Sequence, residues 1–374
     1  MIVAGEASGD LHGSGVIKAL RLLDPEIQVC GMGGEHMRRA GAELIIDSSR
    51  LAVVGITEVL GRLGSLLQAY RNLRKVIQGG DVSLLILIDF PDFNLFLSQV
   101  AQRKGIPILY YISPQVWAWR SGRLKKIARR INKMAVIFPF EVPLYQKAGV
   151  DVEFVGHPLL DILGTHPLNP LREEMRGKPR IAILPGSREK EVRALLPEML
   201  KAAEILFQQK PEAQFFLAAA PTVRVQEMKK FFTSSKVPMV IVEGQTYETI
   251  MAADTVIVAS GTATLETAIL GKPMVVVYQV SPFSYWFGRR LVKVKWVGLV
   301  NIIAGKAVVP ELLQEEARAG KIAAAVLRII NDEPYRKQMV KELEEIKSKL
   351  GTPGAADRVA RLALELIPGY SCKN

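Results

Sequence analysis

A chain of 374 residues with a formal net charge of +12 is too long for one ordinary core and too basic to be indifferent to anions. Its two cysteines, Cys30 and Cys372, fit neither a metal spacing nor a disulfide framework, and four scattered histidines argue against a zinc site. No signal peptide is predicted, and the most apolar run, VSLLILIDFPDFNLFL, is broken by Asp89, Pro91 and Asp92, short of the roughly 20 apolar residues of a membrane span.

In the first half, short aliphatic runs alternate with helical patterns. Strands are predicted at 1–4, 27–31, 43–46, 82–88, 106–112, 133–137 and 152–155, and helices at 11–22, 56–78, 92–104 and 120–130. LLILI (84–88) is the continuous apolar run of a parallel strand buried on both faces. Such alternation predicts a doubly wound α/β domain. In helix 56–78, Val59, Leu60, Leu63, Leu66, Leu67 and Tyr70 recur at helical spacing and are expected in the core.

The loop AGEASGDLHG, after the first strand, has the look of a phosphate cradle. Its glycines, Gly5, Gly9 and Gly13 with Gly15 beyond, miss the G-x-G-x-x-G spacing, and Glu6 and Asp10 would repel a phosphate. Asp89 ends LLILID. A carboxylate there can act as a general base towards a hydroxyl, or cap the following loop. His12 and His157 are acid–base candidates or structural imidazoles. Trp117 and Trp119, in YYISPQVWAWRSGR, suit stacking on a sugar, contact with acyl chains, or packing between elements. RSGRLKKIARRINK (120–133) holds seven basic residues and no acid, which fits a solvated helix face or an anionic partner.

The stretch 156–180, rich in proline and glycine, reads as a linker. Alternation then restarts, with strands at 180–184, 213–219, 238–242, 254–258 and 273–278 and helices at 189–208, 222–233, 246–252 and 262–270; from 310 onward the chain looks helical. The expected domains are therefore 1–160 and 161–350, two doubly wound Rossmann-like domains facing a central cleft. LPGSREKE carries Arg188 at a helix start, an anion site or an ordinary turn. ASGTATLE offers Ser260, Gly261 and Thr262 to a phosphate and Glu266 to ribose hydroxyls, or is a plain N-cap. SPFSYWFGRRLVKVKW (281–296) mixes aromatic and basic residues as a membrane interface does. No helix-turn-helix, RNP or zinc-finger pattern supports nucleic-acid binding.

Eight motifs occur in order: AGEASGDLHG, VVGITEVL, IDFPDFN, YISPQVWAWR, FPFE, GHPL, LPGSREKEV and ASGTATLE. Together they resemble the lipid-A-disaccharide synthases, from the first residues to about 315, ending with NIIAGKAVVPELLQEE. The resemblance implies a GT-B glycosyltransferase, with helix 355–368 crossing back to the first domain. It implies transfer of 2,3-diacylglucosamine from UDP-2,3-diacylglucosamine to 2,3-diacylglucosamine 1-phosphate (lipid X), giving the β-1,6 disaccharide and UDP by inversion, without metal or cofactor. By motif, Asp89 becomes the base. Glu6, Ser8, Asp10 and Trp117 fall on the acceptor side, and Arg188, Ser260, Gly261, Thr262, Glu266 and Asn301 on the UDP side. Acylated substrates imply a cytoplasmic protein peripherally bound to the inner face of the inner membrane. One departure is the very short first strand, which family members precede with several residues; either the edge is trimmed or the true start lies upstream. Two other readings use the same residues: a UDP-sugar 2-epimerase of like architecture, and a non-enzymatic binder of anionic membranes.

Overall fold

The computed structural model describes residues 1–49, 59–114, 116, 122–166, 178–232, 237–279 and 296–370, with the side chains of 59–63 left aside. Trp117, Trp119 and residues 281–295 of the aromatic–basic stretch therefore lie outside the described residues. The chain forms two compact units, Met1–Gly164 with Leu350–Asn374, and Thr165–Lys349.

The first unit is built on β1 (Ile2–Ala4), β2 (Cys30–Gly33), β3 (Glu43–Asp47), β4 (Leu85–Ile88), β5 (Ile108–Tyr111), β6 (Lys133–Val136) and β7 (Val152–Phe154). They lie in the order β3-β2-β1-β4-β5-β6-β7, and every pairing is parallel. β1 has three residues, yet it sits in the middle of the sheet with none of them more than 1% exposed. Burial on both faces and pairing on both edges hold a strand this short, where propensity alone would not.

Helix Ala7–Leu23 begins four residues earlier than the sequence pattern predicts, so most of the glycine-rich loop is helix. Gly13 allows that helix to close on its neighbour, because a Cβ there would come within 2.8 Å of Met37 Sδ. In helix Val59–Gly79, Ala69, Leu73 and Ile77 are fully buried and Leu66 and Tyr70 pack against the core, whereas Leu67 is 49% exposed. Residues 159–165, inside the expected linker, form helix Leu159–Thr165. The final helix, Ala355–Leu366, packs on Ala7–Leu23. Asp161 receives the amides of Gly354 and Ala355 at its start, and Arg358 donates to the carbonyls of Val155 and Thr352 at 2.8 and 2.6 Å.

The second unit has β8 (Arg180–Leu184), β9 (Gln214–Ala219), β10 (Met239–Glu243), β11 (Thr255–Ala259), β12 (Met274–Tyr278) and β13 (Glu311–Leu313) in the order β10-β9-β8-β11-β12-β13, again parallel throughout. β13 falls in the region expected to be helical. Three residues between a proline and a 3-10 turn carry no readable period, and pairing with β12 makes them a strand.

In each sheet the strand order reverses once, at β1/β4 and at β8/β11. Chain leaving two neighbouring strands at such a point turns to opposite faces and opens a crevice beyond their carboxyl ends. Ala4 is in register with Ile88, and Leu184 with Val258. The residues brought to the two crevices are therefore Gly5–Glu6 with Asp89, and Pro185–Arg188 with Ala259–Thr262. Among the described residues no helix is long and apolar enough to cross a membrane, and no His/Cys/Asp/Glu group has the makings of a metal site.

Candidate active site

At the crevice of the first unit, β4 is followed by two consecutive non-glycine residues in the left-handed region, Asp89 (φ 44°) and Phe90 (φ 47°). Each costs on the order of 1–3 kcal/mol and persists only where its surroundings over-determine it. The Asp89 amide donates to Tyr111 O at 3.1 Å. Its carbonyl accepts the Tyr110 hydroxyl at 2.6 Å and Asn94 Nδ2 at 2.7 Å, and Asn94 Nδ2 also reaches Ile88 O at 3.2 Å. Pro91 then opens helix Pro91–Arg103, where its missing N–H is no loss.

Burial pushes the Asp89 carboxyl up to about 6; the neighbouring Glu6 charge adds to the rise, and the Phe90 amide opposes it. Glu6 and Ser8 are exposed at the start of helix Ala7–Leu23, with Glu6 in the N-cap position. Asp10 differs. It is 4% exposed and accepts the amides of Gly34, Met37 and His36 at 2.7, 3.0 and 3.0 Å, so both oxygens are committed to fastening the turn after β2. The carboxylate expected to meet an acceptor hydroxyl thus already holds three backbone amides.

Burial pushes the imidazoles of His12 and His157 down, to about 4 and about 3, with His12 adding to the shift at His157. His157 Nδ1 accepts the Leu159 amide at 3.2 Å, which makes it a turn brace. His12 Nδ1 is buried without a hydrogen-bond partner. The basic helix Arg123–Arg130 buries Ile127, pairs Arg123 with Asp92 and sends Arg130 to Leu95 O at 2.6 Å, leaving Lys125 and Lys126 to solvent.

In the second unit, Arg188 is the N-cap residue of helix Glu189–Gln209; its guanidinium is 78% exposed and touches Glu191 at 3.0 Å. Gly186 stands at φ 115°, where a side chain would be strained and would also strike Glu191. Across the crevice, Ser260, Gly261 and Thr262 lead into helix Thr262–Ile269, whose N-terminus has no side-chain cap, with Gly261 and Thr262 exposed. Glu266 lies one turn on. Burial raises its pKa, and the Tyr247 hydroxyl donates to its Oε1 at 3.3 Å, with the His166 ring edge-on to Tyr247 at 5.0 Å.

Asn301 is 1% exposed, and its amide is used completely. Nδ2 donates to Val309 O and Glu311 Oε1 at 2.9 and 2.8 Å, and Oδ1 accepts the amides of Val308 and Val309 at 2.7 and 3.0 Å. No donor or acceptor is left for the UDP contact expected by motif. Its partner Glu311 also receives the amides of Val297 and Gly298, which caps helix Leu299–Ala304.

The sequence profile described as lipid-A-disaccharide synthetase matches residues 1–361. The chain belongs to the lipid-A-disaccharide synthase family. A lipid-A-disaccharide synthase of Syntrophus aciditrophicus is 48% identical over 380 residues, covering 100% of this chain and 98% of the relative. Among solved structures, the UDP-GlcNAc 2-epimerase from Neisseria meningitidis bound to UDP-GlcNAc superposes with a TM-score of 0.66 at 13% identity, over 97% of this chain and 99% of its own. The glycotransferase of kitacinnamycin does so with 0.63 at 14%, over 98% of each. At such identities these structures speak for fold alone, and that fold is GT-B. Family membership makes this lipid-A-disaccharide synthase relative a glycosyltransferase, and so decides against the epimerase and the non-enzymatic membrane binder.

Sequence reading alone passed over Tyr110, Asn94, Tyr247 and Glu311. Asn94 lies inside IDFPDFN, and Glu311 inside the last motif, so the motifs marked their places. Nothing in the pattern said which carbonyl, amide or carboxylate each would hold.

Proposed function

We propose that this enzyme transfers 2,3-diacylglucosamine from UDP-2,3-diacylglucosamine to the 6-hydroxyl of lipid X, forming the β-1,6 disaccharide and releasing UDP. The observation that carries the scheme is Asp89, a half-buried carboxylate at the switch point whose pKa is raised to about 6 by burial and by Glu6. Such a group is mostly ionised above pH 7 yet more basic than an ordinary aspartate, which suits a general base for a hydroxyl. Asp89 takes the 6-hydroxyl proton as that oxygen attacks the anomeric carbon from the face opposite UDP. The bond from anomeric carbon to phosphate oxygen breaks, and its electron pair leaves with UDP. This single displacement inverts the centre.

Charge grows on the departing diphosphate. The exposed Arg188 guanidinium and the uncapped N-terminus at Ser260, Gly261 and Thr262 offer it positive charge, so the scheme asks for no metal. Glu266 receives ribose hydroxyls. Glu6 and Ser8 serve the acceptor; Asp10 and Asn301 act through the backbone they brace. Trp117 stays with the acceptor side and 281–296 with an anionic membrane surface at the inner face of the inner membrane, where acylated substrates reside, while Lys125 and Lys126 add exposed positive charge on the first unit.

Two variants test the scheme with detergent-dispersed substrates. Asp89→Asn is expected to lose roughly a hundred-fold or more in kcat with donor binding retained, as for loss of a general base. Arg188→Ala is expected to lower kcat/KM for the donor. Unchanged turnover and donor KM in Arg188→Ala would remove that residue from the UDP side.

A further inference from the structure

Tyr110 is fully buried on β5, in a core where a phenylalanine would fill the same space. Its hydroxyl donates to one acceptor, the Asp89 carbonyl, at 2.6 Å. Asn94 is likewise 0% exposed, and both of its amide donor contacts go to the same turn, on Asp89 O and Ile88 O. Its Oδ1 is buried with no hydrogen-bond partner. Two polar side chains in an apolar core, one with an acceptor unmet, oppose folding. The turn they hold is itself strained at two successive residues. A fold seeking only to end β4 would place glycine there and bury no amide.

We infer that Tyr110 and Asn94 are positioning residues of the transfer reaction: they clamp the Asp89 carbonyl and so fix the direction in which the Asp89 carboxylate meets the acceptor hydroxyl. The inference rests on the proposed reading of Asp89 as the base. The clamp acts on the backbone carbonyl and takes neither carboxylate oxygen, so the carboxylate, which meets the Phe90 amide, keeps room for the proton it takes. It also explains the left-handed pair. With φ near 45° at Asp89 and Phe90, these two residues alone carry β4 into helix Pro91–Arg103, so the base stands between a strand end and a helix start. The charged and titratable groups facing the pair are Glu6 from the first loop, Tyr145 beside Tyr110, and Arg123 from the basic helix. The Tyr110 hydroxyl, pushed well above its ordinary value by burial, stays protonated and remains a donor at every working pH.

The test is steady-state kinetics of Tyr110→Phe, Asn94→Ala and the double variant, with UDP release as readout from pH 5 to 9. Tyr110→Phe removes one oxygen atom and keeps the ring, so it decides alone if Asn94→Ala does not fold. The expected result is a kcat lower by roughly ten- to a hundred-fold, the scale of a small misplacement of a catalytic group, with both KM values nearly unchanged. The acid limb of the kcat/KM profile should move to lower pH as the released carboxylate gains solvent. The double variant should be little worse than the poorer single, since both act on one carbonyl. An unchanged kcat and acid limb, with only the melting temperature lowered, would overturn the inference. So would a loss confined to donor KM. Asp89→Asn, run alongside, separates the two readings. If it stays active, the base assignment has failed; if it is inactive while the clamp variants turn over normally, only the clamp has.

Discussion

The ring of Phe90 lies against the Cα of Gly5, so near that a Cβ on Gly5 would stand 2.3 Å from Phe90 Cδ1. The two loops of the first crevice are therefore fitted to each other through a contact only glycine permits, and that contact brings Glu6 within electrostatic reach of Asp89. Gly5→Ala must push Phe90 aside. It is expected to destabilise by about 1–3 kcal/mol, as overpacking does, and to lower kcat by more than its loss of stability would suggest. Urea unfolding and turnover of the purified variant check this; full activity with a normal midpoint would mean the loops tolerate separation.

Glu6 raises the Asp89 pKa by like-charge repulsion, second to burial. Removing the charge in Glu6→Gln favours the ionised carboxylate. The acid limb of the rate profile should therefore move to lower pH, while the plateau falls because the base is weaker. A limb that does not move would take Glu6 out of the electrostatics of Asp89.

The raised Asp89 pKa also sets a stability trade-off. Between the ordinary carboxylate range and about 6, the folded chain holds a proton that the unfolded chain has lost. This group's contribution is thus fully present below pH 4 and is lost as pH rises through 6. Asp89→Asn removes the penalty, and at pH 7.5 it should be more stable by about 1–3 kcal/mol while being far less active. The gain should shrink when unfolding is repeated at pH 4.5. A variant less stable at pH 7.5 would contradict the burial of the carboxylate.

His12 and His157 act in the opposite sense. Their pKa values are depressed to about 4 and about 3 by burial, so below pH 6.5 the unfolded chain binds protons that the folded chain refuses. Stability should fall as pH drops from 6.5 towards 4, and these two groups outweigh the one carboxylate. His12→Gln should lose less of its urea midpoint between pH 7.5 and 5 than the parent does. Equal losses would show that His12 does not titrate with unfolding.

The last helix is held where Asp161 accepts the amides of Gly354 and Ala355. Asp161→Ala deletes these bonds to the helix start and should cost about 1–2 kcal/mol, as loss of a capping side chain does. Amide exchange would be expected to accelerate in Ala355–Leu366 and in the facing helix Ala7–Leu23, with little change in the second unit.

Much of this was legible in the residues. Continuous aliphatic runs such as LLILI carry the signature of central parallel strands, and the motifs placed Asp89, Arg188 and Ser260–Thr262 just beyond strand ends, where both sheets put them. What failed is instructive. Helix Ala7–Leu23 starts inside AGEASGDLHG because packing on β1, not propensity, decides the fate of its glycines. Asp10 and Asn301 sit in motifs expected to meet ligand, and in the fold their side chains also hold backbone that lies far away in sequence or folds back on itself. A motif reports that a polar residue is needed at a place; which atom it serves depends on chain brought near by folding. The same limit hid Tyr110, whose one oxygen distinguishes it from a core phenylalanine.

The most direct measurement is mass-spectrometric product analysis after the pure protein is mixed with UDP-2,3-diacylglucosamine and lipid X in detergent, beside Asp89→Asn. The account predicts one tetra-acylated disaccharide monophosphate per UDP released, formed by the parent and reduced at least about a hundred-fold in the variant. Disaccharide formed equally by both proteins, or no disaccharide from folded parent protein, would contradict it.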